Sequence, residues 1–412
     1  MLCPMNTKFS LRRTAACVLA TSAVLLWPSF GEASVATGSS RSGQWRQPAV
    51  KTFNDPRLEG DTGLPIATFP PDRHFDHRHM LLEIAIPDLA TQTFYAQMTL
   101  KLVAQGRARN EIVLDAMGTL EVTGVMVDGK AATFEHDDEL LIVELAEAAP
   151  AGKEVTLVVR YIATKPYKDG SGLNWLSGRA ATERRKATTP LIYSQGQANW
   201  NRYWFPCHDF PNEKLTTEII LTAPAGNDVI SNGRLVDSKE ATTDGMLKMI
   251  AGWHKDAKPT LPKPAEPAAA ADKDADDKGD GDKPAATPAV GYTTWHWLQD
   301  KPHSAYLVMV AVGQFDTVNV SPKEGPLSTL SMPVYGPPGS GATLDKLFAN
   351  TPKMVEFFAQ QFDEPYPWDK YAQVIVRNFR WGGMENTSAT VLGEFSSRGG
   401  EGSQDSLIAH EL

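Results

Sequence analysis

The sequence predicts an all-β N-terminal domain of antiparallel sandwich or saddle form, followed by the opening part of an α+β domain, left incomplete. Three observations carry this. Across residues 74–315, apolar and polar side chains alternate with period two in short runs separated by turn signals. After Met332-Pro333-Val334-Tyr335 the apolar spacing changes to the period of a helix. The chain has 412 residues, more than one ordinary core uses, and 42% of them are hydrophobic against 22% charged, the balance of a packed globular protein.

The elements follow in order. Lys8, Arg12 and Arg13 precede an uncharged apolar stretch over 14–30, and Gly31-Glu32-Ala33 or Ser34-Val35-Ala36 then offers the small residues that a signal peptidase inspects. Residues 1–33 are therefore predicted to be an export signal, with a periplasmic or extracellular product. A membrane anchor is the rival; Pro28 ends the apolar run early for one. Arg12-Arg13 admits a twin-arginine signal, and ordinary secretion is the default. Residues 34–72 lack a period and read as a flexible lead-in.

The β domain is predicted over 73–332. Phe94, Ala96, Met98, Leu100 and Leu102 alternate with Tyr95, Gln97, Thr99 and Lys101, a strand with one wet face. Residues 112–114, 125–127, 140–145 and 155–161 continue the pattern, and Asp128-Gly129 is a tight-turn pair. Residues 255–290 are dominated by Pro, Ala, Asp and Lys and read as a disordered insertion in a loop between two strands of one domain, with a domain linker as the rival. A second domain is predicted over 333–412. Leu347, Thr351, Met354, Val355, Phe358 and Phe362 share one helical side, with Pro352 either kinking the helix or starting its second half. Residues 372–376 read as a strand and 404–412 as the start of another helix.

A net charge of -9 argues against nucleic acid as a partner. Removal of the signal would leave Cys207 as the single cysteine, so no internal disulfide is expected and the core must carry stability. No later segment is long and apolar enough to span a bilayer, so no membrane partner is expected after cleavage. His74, His77 and His79 read as exposed histidines rather than a metal cluster.

Chemistry is concentrated near the end. An apolar run leads into His410-Glu411, as a zinc helix of the form His-Glu-x-x-His begins. Histidines four apart face one side of a helix and can share a metal, while the intervening glutamate reaches the metal-bound water. Upstream lies Gly382-Gly383-Met384-Glu385-Asn386. Paired glycines let an extended peptide approach as an added strand, and Glu385 offers a carboxylate to a free α-ammonium.

Together these motifs resemble the M1 family of gluzincin zinc aminopeptidases, the aminopeptidase N and leukotriene A4 hydrolase type. Phe205-Pro206-Cys207-His208-Asp209, Tyr306-Leu307-Val308, Val312-Gly313-Gln314-Phe315 and Tyr366-Pro367-Trp368-Asp369-Lys370-Tyr371 extend the likeness, and Gln195-Gly196-Gln197-Ala198 matches the loop that reaches from the β domain into the active site. The resemblance implies a thermolysin-like second domain and one zinc ion. It implies His410 as first zinc ligand, Glu411 as general base and Glu385 as holder of the substrate amine. Gln195 and Gln197 would support that grip, and Gly382, Gly383, Met384 and Asn386 would line the substrate. Substrates would be peptides with a free N-terminus. Cys207 is expected to pack rather than react. The second zinc histidine, a third ligand and the tyrosine that steadies the transition state do not occur, so this polypeptide by itself is expected neither to hold zinc tightly nor to cleave peptides. A fragment and a truncated product both fit the sequence. The alternatives are a non-catalytic module of the same fold and a secreted β-sandwich binding protein.

Overall fold

The computed structural model describes residues 70–164, 170–182, 186–262, 291–394 and 399–412. All of them fall within one unit that runs from residue 69 to 412. The expected signal, the lead-in up to residue 69 and residues 263–290 of the insertion lie outside the described residues.

Alternation builds the largest sheet. Its eight strands stand in the order Arg234–Ala241, Tyr292–Ser304, Lys214–Pro224, Phe75–Ala85, Phe94–Ala104, Glu154–Ala163, Leu120–Val127 and Lys130–Ala131. Register aligns Leu82 with Met98, Met98 with Val159 and Val159 with Val125, so one apolar row crosses four strands. Each such side chain contributes about 1.5–3 kcal/mol by leaving water. The pairing is antiparallel except between Phe75–Ala85 and Lys214–Pro224, which run parallel.

A second layer holds two smaller sheets. One has strands Asp228–Ser231, Val310–Gly313, Leu191–Gln195 and Gly172–Leu176 in that order; the other has Arg109–Asp115, Leu140–Ala149 and Phe134–His136. The four-stranded sheet is buried on both faces. Ile192, Val229, Val310 and Val312 pack toward the large sheet. Leu191, Tyr193, Ile230, Met309 and Ala311 pack the opposite way, against Val374, Val376, Met384 and Val391. Burial on both sides is why residues 308–312 read as a continuous apolar run rather than an alternating one.

The third layer is a five-stranded sheet ordered Asp316–Asn319, Pro333–Gly336, Ala372–Val376, Ala389–Gly393 and Gly383–Met384. Its far face, with Val334, Ile375 and Leu392, is covered by Leu344, Leu347, Phe348 and Ile408 from helical segments.

Several expectations change. Pro352 lies in the first turn of helix Thr351–Phe362, and Leu347 ends a separate helix, Gly341–Leu347. The shared apolar side is buried only at its start: Val355 is 1% exposed, whereas Phe362 is 74% exposed. A helix Thr243–Trp253 interrupts the run of strands, capped by Thr242 Oγ1 accepting from Gly245 N, and its Met246 and Ile250 cover Ala85, Tyr95 and Tyr292. His77 is buried rather than exposed, and its ring meets His208 edge-on at 6.0 Å. Cys207 is buried within the core. Among the described residues no helix is long and apolar enough to cross a membrane.

Candidate active site

Three segments meet at one cleft. The first leaves the buried strand Leu191–Gln195. A Cβ on Gly196 would stand 2.3 Å from the Tyr306 carbonyl oxygen and 2.7 Å from the Asn201 carboxamide, so only glycine lets the loop lie this close to residues 305–308. Asn201 Nδ2 donates to the carbonyls of Ala305, at 2.5 Å, and Val308, at 3.1 Å, while its Oδ1 accepts from Trp204 Nε1. Held this way, the loop presents Gln197 to solvent.

The second segment is the edge strand Gly383–Met384, antiparallel to Ala389–Gly393. Met384 is fully buried among Val374, Val376 and Val391, which pins the strand. Glu385 follows it into the cleft. Gln197 Nε2 donates to Glu385 Oε1 at 3.5 Å across 188 residues of sequence. Among the described residues one outer edge of this strand has no strand partner, the position from which an added strand would pair.

The third segment is helix Asp405–Glu411. Ile408 anchors it on the five-stranded sheet, which leaves His410 exposed and Glu411 buried. A Cβ on Gly383 would meet Glu411 Oε1 at 2.4 Å, so the missing side chain is what lets this carboxylate lie against the strand. Burial holds the Glu411 carboxyl above the usual range; His410 pulls it down and Glu385 pushes it up. A raised carboxylate is better matched to taking a proton near neutrality. Tyr306 is raised by burial and by the same Glu385.

The cleft measures about 590 Å³. Of the residues expected from sequence, Gln197, Gly382, Gly383, Glu385, His410 and Glu411 line it. Gln195, Met384 and Asn386 do not: all three are buried behind its wall, Gln195 at the end of a strand buried on both faces, Met384 in the edge strand and Asn386 beyond that strand's end. Neither polar atom of the Asn386 carboxamide meets a partner, and Gln195 Oε1 meets none. Trp381 and Leu407 also line the cleft. Trp381 continues an aromatic series, 5.6 Å from the Trp200 ring and 5.7 Å from Phe379. Its place directly before the glycine pair was the available signal.

A catalytic zinc requires three protein donors and a water. Among the described residues no three His, Cys, Asp or Glu side chains are placed to hold a metal. His410 gives one imidazole at the cleft, with Glu411 beside it. This donor set does not complete a zinc site.

Residues 75–258 match the Peptidase M1 N-terminal domain and residues 347–412 the Peptidase family M1 domain. Similar curated proteins include a leukotriene A-4 hydrolase homolog of Botryotinia fuckeliana, 25% identical over 81% of this chain and 44% of its own length. Leucine aminopeptidase 2 of Phaeosphaeria nodorum is 25% identical over 81% and 46%. Leukotriene A-4 hydrolase of Xenopus laevis is 24% identical over 84% and 48%. The chain thus spans about half the length of the curated relatives it matches. The fold is shared with the M1 zinc metallopeptidase of Deinococcus radiodurans, at TM-score 0.58 and 17% identity over 82% of this chain and 64% of that one. It is shared equally with native yeast LTA4 hydrolase, at TM-score 0.58 and 19% identity over 82% and 43%.

Proposed function

Because this chain belongs to peptidase family M1, we propose that it carries the amine-recognition side of a zinc-dependent aminopeptidase that releases residues from peptides with a free N-terminus. The observation that supports this most is the meeting of Gln197 and Glu385, delivered by different sheets to one cleft beside Glu411. Glu385 accepts charge-assisted hydrogen bonds from the substrate α-ammonium. The Gln197 amide braces that carboxylate and leaves its own oxygen for the same ammonium. The substrate backbone lies along the free edge at Gly382 and Gly383, which carry no side chains of their own and stand against Leu407 and Glu411. Glu411, its proton affinity raised by burial, serves as base toward water. His410 is the residue of this set that would hold zinc.

The test compares the release of p-nitroaniline from L-leucyl and N-acetyl-L-leucyl p-nitroanilide by the protein purified from its source at its native length, because the described residues by themselves do not complete a zinc site. Only the free amine should react. Glu385→Gln should lower kcat/KM for it by about 10- to 100-fold, the loss of one charged hydrogen bond. Equal cleavage of the acetylated substrate would sink the proposal.

A further inference from the structure

We propose that Asn232 is a positioning residue that fixes Glu385 relative to Gln197, by tying the loop after Glu385 to the same backbone segment that carries the Gln197 loop. This rests on the aminopeptidase reading of the cleft.

The segment is residues 305–309. On one side Asn201 grips its Ala305 and Val308 carbonyls, and Gly196 lies against its Tyr306 carbonyl. On the other side Asn232, 2% exposed, grips it at two further points. Asn232 Nδ2 donates to the Leu307 carbonyl at 2.9 Å, and Met309 N donates to Asn232 Oδ1 at 2.8 Å. The same Nδ2 donates to the Thr387 carbonyl at 2.6 Å, two residues beyond Glu385. One carboxamide therefore uses both ends, and three backbone groups from two separate segments, 307–309 and the loop at 387, are tied through it. Aspartate has the same shape and no donor, so it would turn a second acceptor toward Leu307 and Thr387.

The turn that carries Asn232 is itself held to this loop. Gly233 N donates to Ser388 Oγ at 2.7 Å. Gly233 has φ of +72°, and a Cβ there would meet the Leu298 carbonyl at 2.0 Å, so no other residue allows the turn. Lys370 Nζ donates to the carbonyls of Ser231, at 2.7 Å, and Gly233, at 2.5 Å, and sits 4.8 Å over the Trp297 ring. The ends of this arrangement are Gln197 and Glu385, whose spacing decides how well an ammonium is held between them.

The experiment uses the protein at its native length with Asn232→Asp and, as the milder variant, Ser388→Ala, which removes the Gly233 tether and the longer contact from Lys370 Nζ at 3.4 Å. Steady-state kinetics on L-leucyl p-nitroanilide are read beside amide hydrogen exchange. Both variants should raise KM, Asn232→Asp by about tenfold, with kcat held within about twofold, because the amine grip acts equally in ground and transition states. Exchange should quicken at 383–393 and stay slow in the strand Phe94–Ala104. If Asn232→Asp does not fold, Ser388→Ala carries the decision with a smaller rise in the same direction. A wild type that cleaves the free amine while the folded variants keep its KM overturns the positioning role alone. A drop in kcat at constant KM does the same. A wild type that releases nothing from the free amine overturns the aminopeptidase reading and the positioning role with it.

Discussion

His303 shows how a single buried ring links this fold to pH. It stands in the strand Tyr292–Ser304 at 3% exposure, its Nε2 paired with Thr217 Oγ1 at 2.9 Å and its Nδ1 without a partner. Burial pushes its pKa down to about 3. The unfolded chain takes up a proton there below about 6.5, and the folded chain does not. Stability from this residue is complete above that value and falls as pH drops toward 3, by about 1.4 kcal/mol per pH unit. His77 is pushed to about 3 as well, by burial, by His208 and by Arg73, and acts in the same direction. His303→Gln keeps a donor for Thr217 and removes the titration. Urea unfolding at about pH 7.5, 5.5 and 4.5 should show a shallower acid loss in the variant by that slope. Identical slopes would mean that His303 takes a proton while folded. Nothing in the sequence marked His77 as different from His74 and His79; all three lie near the start of a strand, where a register shift between His77 and His79 breaks the alternation and His77 packs against His208.

At the level of elements, period was a dependable guide where one face packs and the other is wet, as in Phe94–Ala104. It failed in two kinds of place. The helix Thr243–Trp253 contains two glycines and borders the Pro- and Ala-rich insertion, so its short apolar pattern of Met246 and Ile250 was lost in the surroundings. In Thr351–Phe362 the period was right and the depth was not. The helix touches the core through Thr351 and Val355 and then runs outward to Asp363, which ends it in the left-handed conformation at φ 53°. The two halves of this helix should therefore respond differently to truncation. Val355→Ala should cost about 2 kcal/mol, since a filled site loses two methyl groups and gains a cavity. Phe362→Ser should cost less than about 0.5 kcal/mol, as an exposed substitution does. Thermal or urea unfolding of the two variants checks this; a Phe362→Ser loss as large as that of Val355→Ala would show that the ring is covered in solution. The same distinction applies at the cleft. The sequence located all three segments, but packing decides which of their residues enter it: Gln195 ends a strand buried on both faces, Met384 packs on Val374, Val376 and Val391, and Asn386 is buried beyond the end of the edge strand.

At the scale of the whole molecule, the four-stranded sheet is the common wall. The large sheet packs on one of its faces and the five-stranded sheet on the other, so Gln197 and Glu385 are placed by one rigid stack although 188 residues separate them. The amine-facing half of the cleft is thus built from layers that the described residues complete. The metal-facing half is different. It is represented by one imidazole, His410, on a seven-residue helix, and no group of three donors exists among the described residues. Affinity for zinc in a catalytic site comes from three protein donors held at fixed angles, and a single exposed imidazole gives little of it. We therefore expect the 412-residue polypeptide to fold with its layers intact and to lose zinc on desalting. Metal analysis after gel filtration should find no stoichiometric zinc in it and no difference on His410→Ala, while hydrogen exchange at Gly383–Met384 and Ala389–Gly393 stays slow. Zinc retained in stoichiometric amount and released by His410→Ala would show that donors beyond the described arrangement come together around His410, and the metal-facing half would then have to be counted as formed.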